Sequence, residues 1–77
     1  MASFKDLSDG LTIFGKYCEW GMHSNEMYAD NGEIFFYISQ KDLPPSSEDG
    51  KKLQELGFQP HEGHKPNNGK NWSIFVL

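Results

Sequence analysis

The chain has 77 residues, enough for one domain covering residues 1–77 and too few for two separate hydrophobic cores. Its net charge of −4 and its lack of arginine argue against nucleic acid, because phosphate contacts rely on basic side chains. The same charge favours a protein partner with a basic surface. Hydrophobic residues make up only 36%, but the 14% of aromatic residues supply large rings to a core and exclude a disordered chain.

The sequence also predicts where the protein resides. The single cysteine, Cys18, cannot form an intrachain disulfide, so no oxidised framework is expected. The first ten residues lack the basic and apolar regions of a secretory signal. No stretch approaches the roughly 20 apolar residues of a membrane span. We therefore expect a soluble, cytoplasmic protein without a membrane partner.

A first helix is predicted near the start of the chain. Ser3 is a suitable N-cap, and Asp6 favours the positive end of the helix dipole. Two glycines in the helix, Gly10 and Gly15, suggest close packing against a strand. Apolar residues recur at spacings of three and four and predict one buried stripe. Its members are Phe4, Leu7, Leu11, Phe14 and Cys18.

The Asn31-Gly32 pair predicts a β-hairpin with a two-residue turn. Such a turn sets Tyr28 opposite Phe35 and shows which residues share a face. One face is expected to be core and contains Met27, Ala29, Ile34, Phe36 and Ile38. The other contains Glu26, Tyr28, Phe35, Tyr37 and Ser39, and whether it stays exposed is the main functional question.

A second helix is expected after Pro44-Pro45, which ends strand pairing. Ser46 or Ser47 would cap it, and acidic residues 48 and 49 suit its first turn. Gly57 fits the left-handed position that ends a helix, with Phe58 packing back onto Leu53.

Two further strands complete the predicted fold. Residues 58–61 form a strand that Pro60 restricts to a sheet edge, residues 62–70 form a loop, and residues 72–77 pair inside the sheet. The order α-β-β-α-β-β predicts an α+β two-layer sandwich. An antiparallel sheet of about four strands would carry both helices on one face.

The last thirty residues and the first helix resemble small uncharacterised bacterial or phage α+β proteins. The resemblance is carried by the helical segment SSEDGKKLQELGF, a short His-bearing strand and the terminal NWSIFVL. These motifs are structural. The resemblance implies a fold pattern and no activity.

The aromatic face of the hairpin is the predicted binding surface. Tyr28, Phe35 and Tyr37 would form its centre, with Glu26 at its margin. Aromatic residues with charged neighbours are typical of protein–protein interfaces. We therefore predict a small acidic protein-binding module, an inhibitor or accessory factor, that acts through this sheet face or an edge strand.

Two other interpretations stay open. Cys18, His23, His61 and His64 have residue types that bind zinc, and Cys18 with a histidine could act as a thiol–base pair. No C-x2-C pair and no oxyanion-hole pattern accompany them, so neither a cofactor nor enzymatic activity is the leading expectation. The third interpretation is a structural homodimer formed through the sheets or edge strands.

Overall fold

The computed structural model describes residues 3–17, 27–63 and 66–76. Their four strands form one antiparallel sheet in the order β1-β2-β4-β3, with both helices on one side. The predicted α+β class is therefore confirmed. The elements are α1 (Phe4–Phe14), β1 (Met27–Asp30), β2 (Glu33–Phe36), α2 (Glu48–Glu55), β3 (Gln59–Glu62), a short 3-10 helix (Pro66–Gly69) and β4 (Lys70–Phe75).

The hairpin prediction is confirmed in its turn and in its register. Asn31 and Gly32 have φ angles of 50° and 79°, the two positive values that a type I′ turn requires. Tyr28 lies opposite Phe35, as the two-residue turn predicts. A one-residue slip would exchange the two faces, so this register fixes which side chains meet the helices.

Strand β4 lies inside the sheet, as predicted for the last strand, although it spans Lys70–Phe75 instead of residues 72–77. Trp72 and Ile74 point towards the helices and are fully buried. The Trp72 indole nitrogen donates a hydrogen bond to the Leu43 carbonyl at 3.2 Å. That bond satisfies the only polar group of a large buried ring.

The core lies between the sheet and the helices and is built around Phe14. The Phe14 ring stacks on Phe36 at a centroid distance of 4.6 Å and meets Phe58 and Trp72 at 5.4 and 6.4 Å. The other buried core residues are Ile13, Ile38, Leu43, Leu53 and Ile74. Aromatic packing thus compensates for the low apolar content of the chain.

Helix α1 has the predicted N-cap and most of the predicted stripe. The Ser3 hydroxyl accepts a hydrogen bond from the Asp6 backbone amide at 3.1 Å. Phe14 is buried, and Leu7 and Leu11 are partly buried and pack against the core, so the stripe is confirmed at these three positions. The prediction is wrong for Phe4, which is 93% exposed. Cys18, the last predicted stripe residue, lies outside the described residues.

Gly10 allows α1 to approach the rest of the core. The ring of Phe58 occupies the space that a Cβ atom at position 10 would need. The prediction that a glycine marks close packing is therefore confirmed for Gly10, although its neighbour lies in the turn before β3 and not in a strand. Gly15 instead forms the C-cap of the helix.

Helix α2 begins and ends as the sequence predicts. Ser47 is the N-cap and accepts a hydrogen bond from the Gly50 amide at 3.0 Å. At the other end Gly57 has a φ of 101°, and the Phe58 amide donates to the Leu53 carbonyl at 2.9 Å. This is the Schellman arrangement.

A polar contact joins the end of α1 to the start of α2. The Tyr17 hydroxyl donates to an Asp49 carboxylate oxygen at 2.7 Å, and the Lys16 amine lies 3.3 Å from the other oxygen. The hydrogen bond from Tyr17 lowers the pKa of Asp49, and the same bond raises the pKa of Tyr17. The two helices are therefore linked by charge as well as by packing.

The prediction that β1 contributes to the core is wrong. Met27 is 52% exposed, and Ala29 is exposed as well. The helices pack against the sheet through Phe36 and Trp72, which belong to β2 and β4. Strand β1 lies at the sheet edge beyond β2, so the helical layer leaves both of its faces open.

Candidate binding surface

The predicted binding residues lie on the side of the sheet that faces away from the helices, here called the outer face. The strand registers decide its membership, because residues directly opposite each other share a face. Its members are Tyr28, Asp30, Glu33, Phe35, Gln59, His61, Asn71, Ser73 and Phe75.

The centre of the outer face is closed by side chains of its own strands. Phe35 is only 7% exposed. Its ring lies 4.8 Å from His61 and 6.2 Å from Tyr28, measured between centroids. Ser73, the small residue opposite Phe35, is fully buried. Its hydroxyl accepts a hydrogen bond from the side-chain amide of Gln59 at 3.3 Å. Side chains from β2 and β3 therefore meet above β4.

Only part of the predicted aromatic surface is therefore exposed to solvent. Phe35 is enclosed and Tyr37 is half-buried, whereas Tyr28 remains 49% exposed. Phe75 is exposed on the same face. Glu26, the acidic residue predicted at the margin, lies outside the described residues.

A carboxylate and an imidazole approach each other on the outer face. The His61 Nδ1 atom lies 3.8 Å from a Glu33 carboxylate oxygen, and the two side chains are 24% and 14% exposed. The pair carries opposite charges only when the imidazole is protonated. Sequence reasoning did not bring Glu33 and His61 together, since they lie on strands separated by β4.

The outer edge of β1 carries free peptide groups. A two-residue turn makes Asp30 and Glu33 a hydrogen-bonded pair, and such pairs alternate along an antiparallel ladder. The N–H and C=O groups of Met27 and Ala29 therefore point away from β2. Within the described residues no strand pairs with this edge.

The outer edge of β3 differs because of Pro60. The Val76 amide donates to the Gly32 carbonyl at 2.8 Å, which sets the alternation of bonds on both sides of β4. Gln59 and Ser73 are then a bonded pair, and the nitrogen of Pro60 faces outward. This nitrogen carries no hydrogen, so β3 presents an incomplete edge, as the sequence predicted.

The charge of the chain is concentrated around the hairpin. Residues 17–40 contain four acidic residues and no lysine, a net charge of −4. The rest of the chain contains the other seven acidic residues and all seven lysines, which sum to zero. Asp30 on the edge strand and its neighbour Glu33 on β2 therefore have no compensating lysine in their own segment.

Three of the four predicted metal ligands, Cys18, His23 and His64, lie outside the described residues. His61 is described and lies beside Glu33 and Phe35. Among residues 3–17, 27–63 and 66–76, no group of three His, Cys, Asp or Glu residues is placed to hold a metal ion.

Comparison with protein-family models, curated proteins and solved structures finds no match to this chain. Within the part of the chain that the structure describes, neither helix has the length and apolar character needed to cross a membrane.

Proposed function

We propose that this protein is a protein-binding module that receives an extended segment of its partner along the free edge of β1. One observation carries the proposal. All four residues of β1 are exposed, and the peptide groups of Met27 and Ala29 point outward. Proteins that add a strand in this way gain affinity from main-chain hydrogen bonds and specificity from alternate side chains.

The edge suits this role better than the sheet face. Phe35 is covered by its neighbours, which leaves Tyr28 and Phe75 as the large exposed side chains of the outer face. Edge strands are commonly protected from pairing by lysine, proline or a bulge. Strand β1 has none of these, whereas Pro60 blocks β3. Such a module serves as an inhibitor or an accessory factor, according to the segment that it occupies.

A proline at position 29 tests the proposal. Ala29→Pro removes the outward N–H and leaves the bonds between β1 and β2 in place, since edge strands tolerate proline where the nitrogen faces solvent. Ala29→Thr is the matched control, because it keeps the N–H and suits a strand. Each form is used to purify bound proteins from cells that express it.

A specific protein retained by the parent and Ala29→Thr but lost with Ala29→Pro is the expected result. Circular dichroism and urea unfolding verify that both variants keep the fold. Retention of the same proteins by all three forms would show that the β1 edge does not bind them.

A further inference from the structure

Resting on the proposed function, we infer that the segment received by β1 is basic and alternates lysine or arginine with apolar residues. The first step is the charge distribution. The whole net charge of −4 lies in residues 17–40, and the remainder of the chain is neutral. Two of the four acidic residues in that segment, Asp30 and Glu33, lie next to the turn of the hairpin, so a partner pairing with β1 meets negative charge there, which attracts cations and disfavours an acidic strand.

The second step is the alternation of side chains along β1. Tyr28 and Asp30 lie on the outer face, where Glu33 is the direct neighbour of Asp30. A paired strand would place one set of alternate residues on this face. A cation there would meet the Asp30 carboxylate, and the Tyr28 ring is a suitable surface for the same charge.

The opposite side of β1 calls for apolar residues in the partner. Met27 and Ala29 lie on this side and are exposed, since the helices do not reach β1. Partner residues facing them would cover an exposed thioether and a methyl group, so apolar side chains fit. The two sides together give a strand with basic and apolar residues in alternation.

A second copy of the chain is a less favourable occupant of this edge than a basic segment. Two paired β1 strands would each bring an Asp30 carboxylate to the same interface, and both copies carry a net charge of −4. Like charges brought together in this way oppose association.

Synthetic peptides of about ten residues, roughly two average strands, test the inference. One peptide alternates Lys with Val and Thr, a second has Gln in place of each Lys, and a third has Glu. Fluorescence anisotropy gives their affinities. We expect the Lys peptide to bind more tightly than the Gln peptide, by about two- to fivefold for each exposed charge pair that it makes. The Glu peptide should bind most weakly.

Three variants locate the binding. Ala29→Pro should abolish it, and the amides of Met27 and Ala29 should gain protection from hydrogen exchange in the parent complex. Asp30→Asn should lower the affinity for the Lys peptide about two- to fivefold, the range expected for one exposed charge pair. Asp42→Asn makes the same charge change at an exposed site outside residues 17–40 and should have no effect.

The outcomes separate the inference from the proposed function. Equal binding of the Lys and Gln peptides, both sensitive to Ala29→Pro, would overturn the basic partner and leave the edge as the binding site. If Ala29→Pro does not weaken binding of the Lys peptide, the inference is wrong, because charge attraction alone would then explain the binding. A dimer that Ala29→Pro dissociates would replace the basic partner with a second copy. If no peptide binds, the inference of an alternating basic segment is wrong. The purification experiment with Ala29→Pro then tests separately whether the β1 edge binds a partner.

Discussion

Asp49 shows how single side chains join two elements that are distant in sequence. Its carboxylate accepts a hydrogen bond from Tyr17 and lies near Lys16, so its ionised form is favoured and its pKa lies below 3.8. Donating this bond to the Asp49 carboxylate raises the pKa of Tyr17 above 10.0, because an ionised phenol has no proton to donate. Asp49 therefore makes the fold less stable at low pH, and Tyr17 makes it less stable at high pH.

Tyr17→Phe should lower the free energy of unfolding by about 1 kcal/mol at neutral pH, the usual worth of one such hydrogen bond. Solvent screening keeps the loss at the lower end of the range, since Tyr17 is more than one-third exposed. Urea unfolding measures it. Tyr28→Phe is the control, because the Tyr28 hydroxyl has no hydrogen-bond partner among the described residues.

The pH dependence of this difference follows from the two pKa directions. The pKa of Asp49 is lowered by folding, so its contribution is present above pH 3.8 and lost as the pH falls through the folded value. The pKa of Tyr17 is raised by folding, so its contribution is present below pH 10.0 and lost as the pH rises through the folded value. A parent–Tyr17→Phe difference that stays constant from pH 3 to pH 11 would contradict the assignment.

At the scale of elements, the start of α2 depends on one hydroxyl. Ser47 accepts from the Gly50 amide at 3.0 Å and donates to the Pro44 carbonyl at 2.6 Å. Ser47→Ala should therefore cost about 1 kcal/mol of unfolding free energy, the typical value for an N-cap. Ser46→Ala is the matched control, since the exposed Ser46 side chain makes no hydrogen bond within the described residues.

The expected readout is a lower urea midpoint for Ser47→Ala with an unchanged slope, and no shift for Ser46→Ala. The sequence alone left the choice between the two serines open. Equal effects of the two substitutions would mean that the cap is shared and that the geometry at Ser47 does not decide where the helix begins.

Elements defined by local chemistry were predictable from the sequence. The hairpin register depends on Asn31 and Gly32, which adopt positive φ at little cost. The end of α2 depends on Gly57, whose φ of 101° excludes most other residues. In both cases the deciding residues are within a few positions of the feature that they control.

Burial was harder to predict because it depends on where separate layers lie. The pattern of β1 correctly assigned Met27 to the helix side of the sheet, but no local signal showed that the helices stop at β2. Likewise the periodicity of α1 placed Phe4 in the stripe, although its side chain is 93% exposed. Spacing tells which face a residue shares, and only the packed structure tells whether that face is covered.

The candidate binding surface was likewise predictable in part from the sequence. Tyr28 is exposed, whereas Phe35 lies close to His61 and opposite the small Ser73. The sequence contained one signal for this enclosure, a serine on the outer face of a central strand. Recognising it required the strand order, which local patterns do not reveal. The turn at Asn31-Gly32 decides which peptide groups of β1 point away from β2, and the strand order then shows that no described strand pairs with them.

At the scale of the whole molecule, the sheet has one open edge and one blocked edge. The peptide groups of Met27 and Ala29 are free on β1, and Pro60 lacks the outward N–H on β3. If both edges were open, β1 of one copy could pair with β3 of the next. Such head-to-tail contacts do not close on themselves and build filaments. We therefore expect Pro60 to disfavour such pairing while leaving β1 available.

Pro60→Val should accordingly produce open-ended oligomers. Valine suits a strand and restores the outward N–H, and position 60 faces solvent, so the fold itself should persist. Sedimentation velocity should show species whose size grows with protein concentration. Ala29→Pro combined with Pro60→Val is the decisive control, because it blocks the β1 edge and should prevent this growth. Oligomers that survive in the double variant would have to form elsewhere, and a Pro60→Val protein that stays monomeric at every concentration would show that β1 does not accept β3 of another copy.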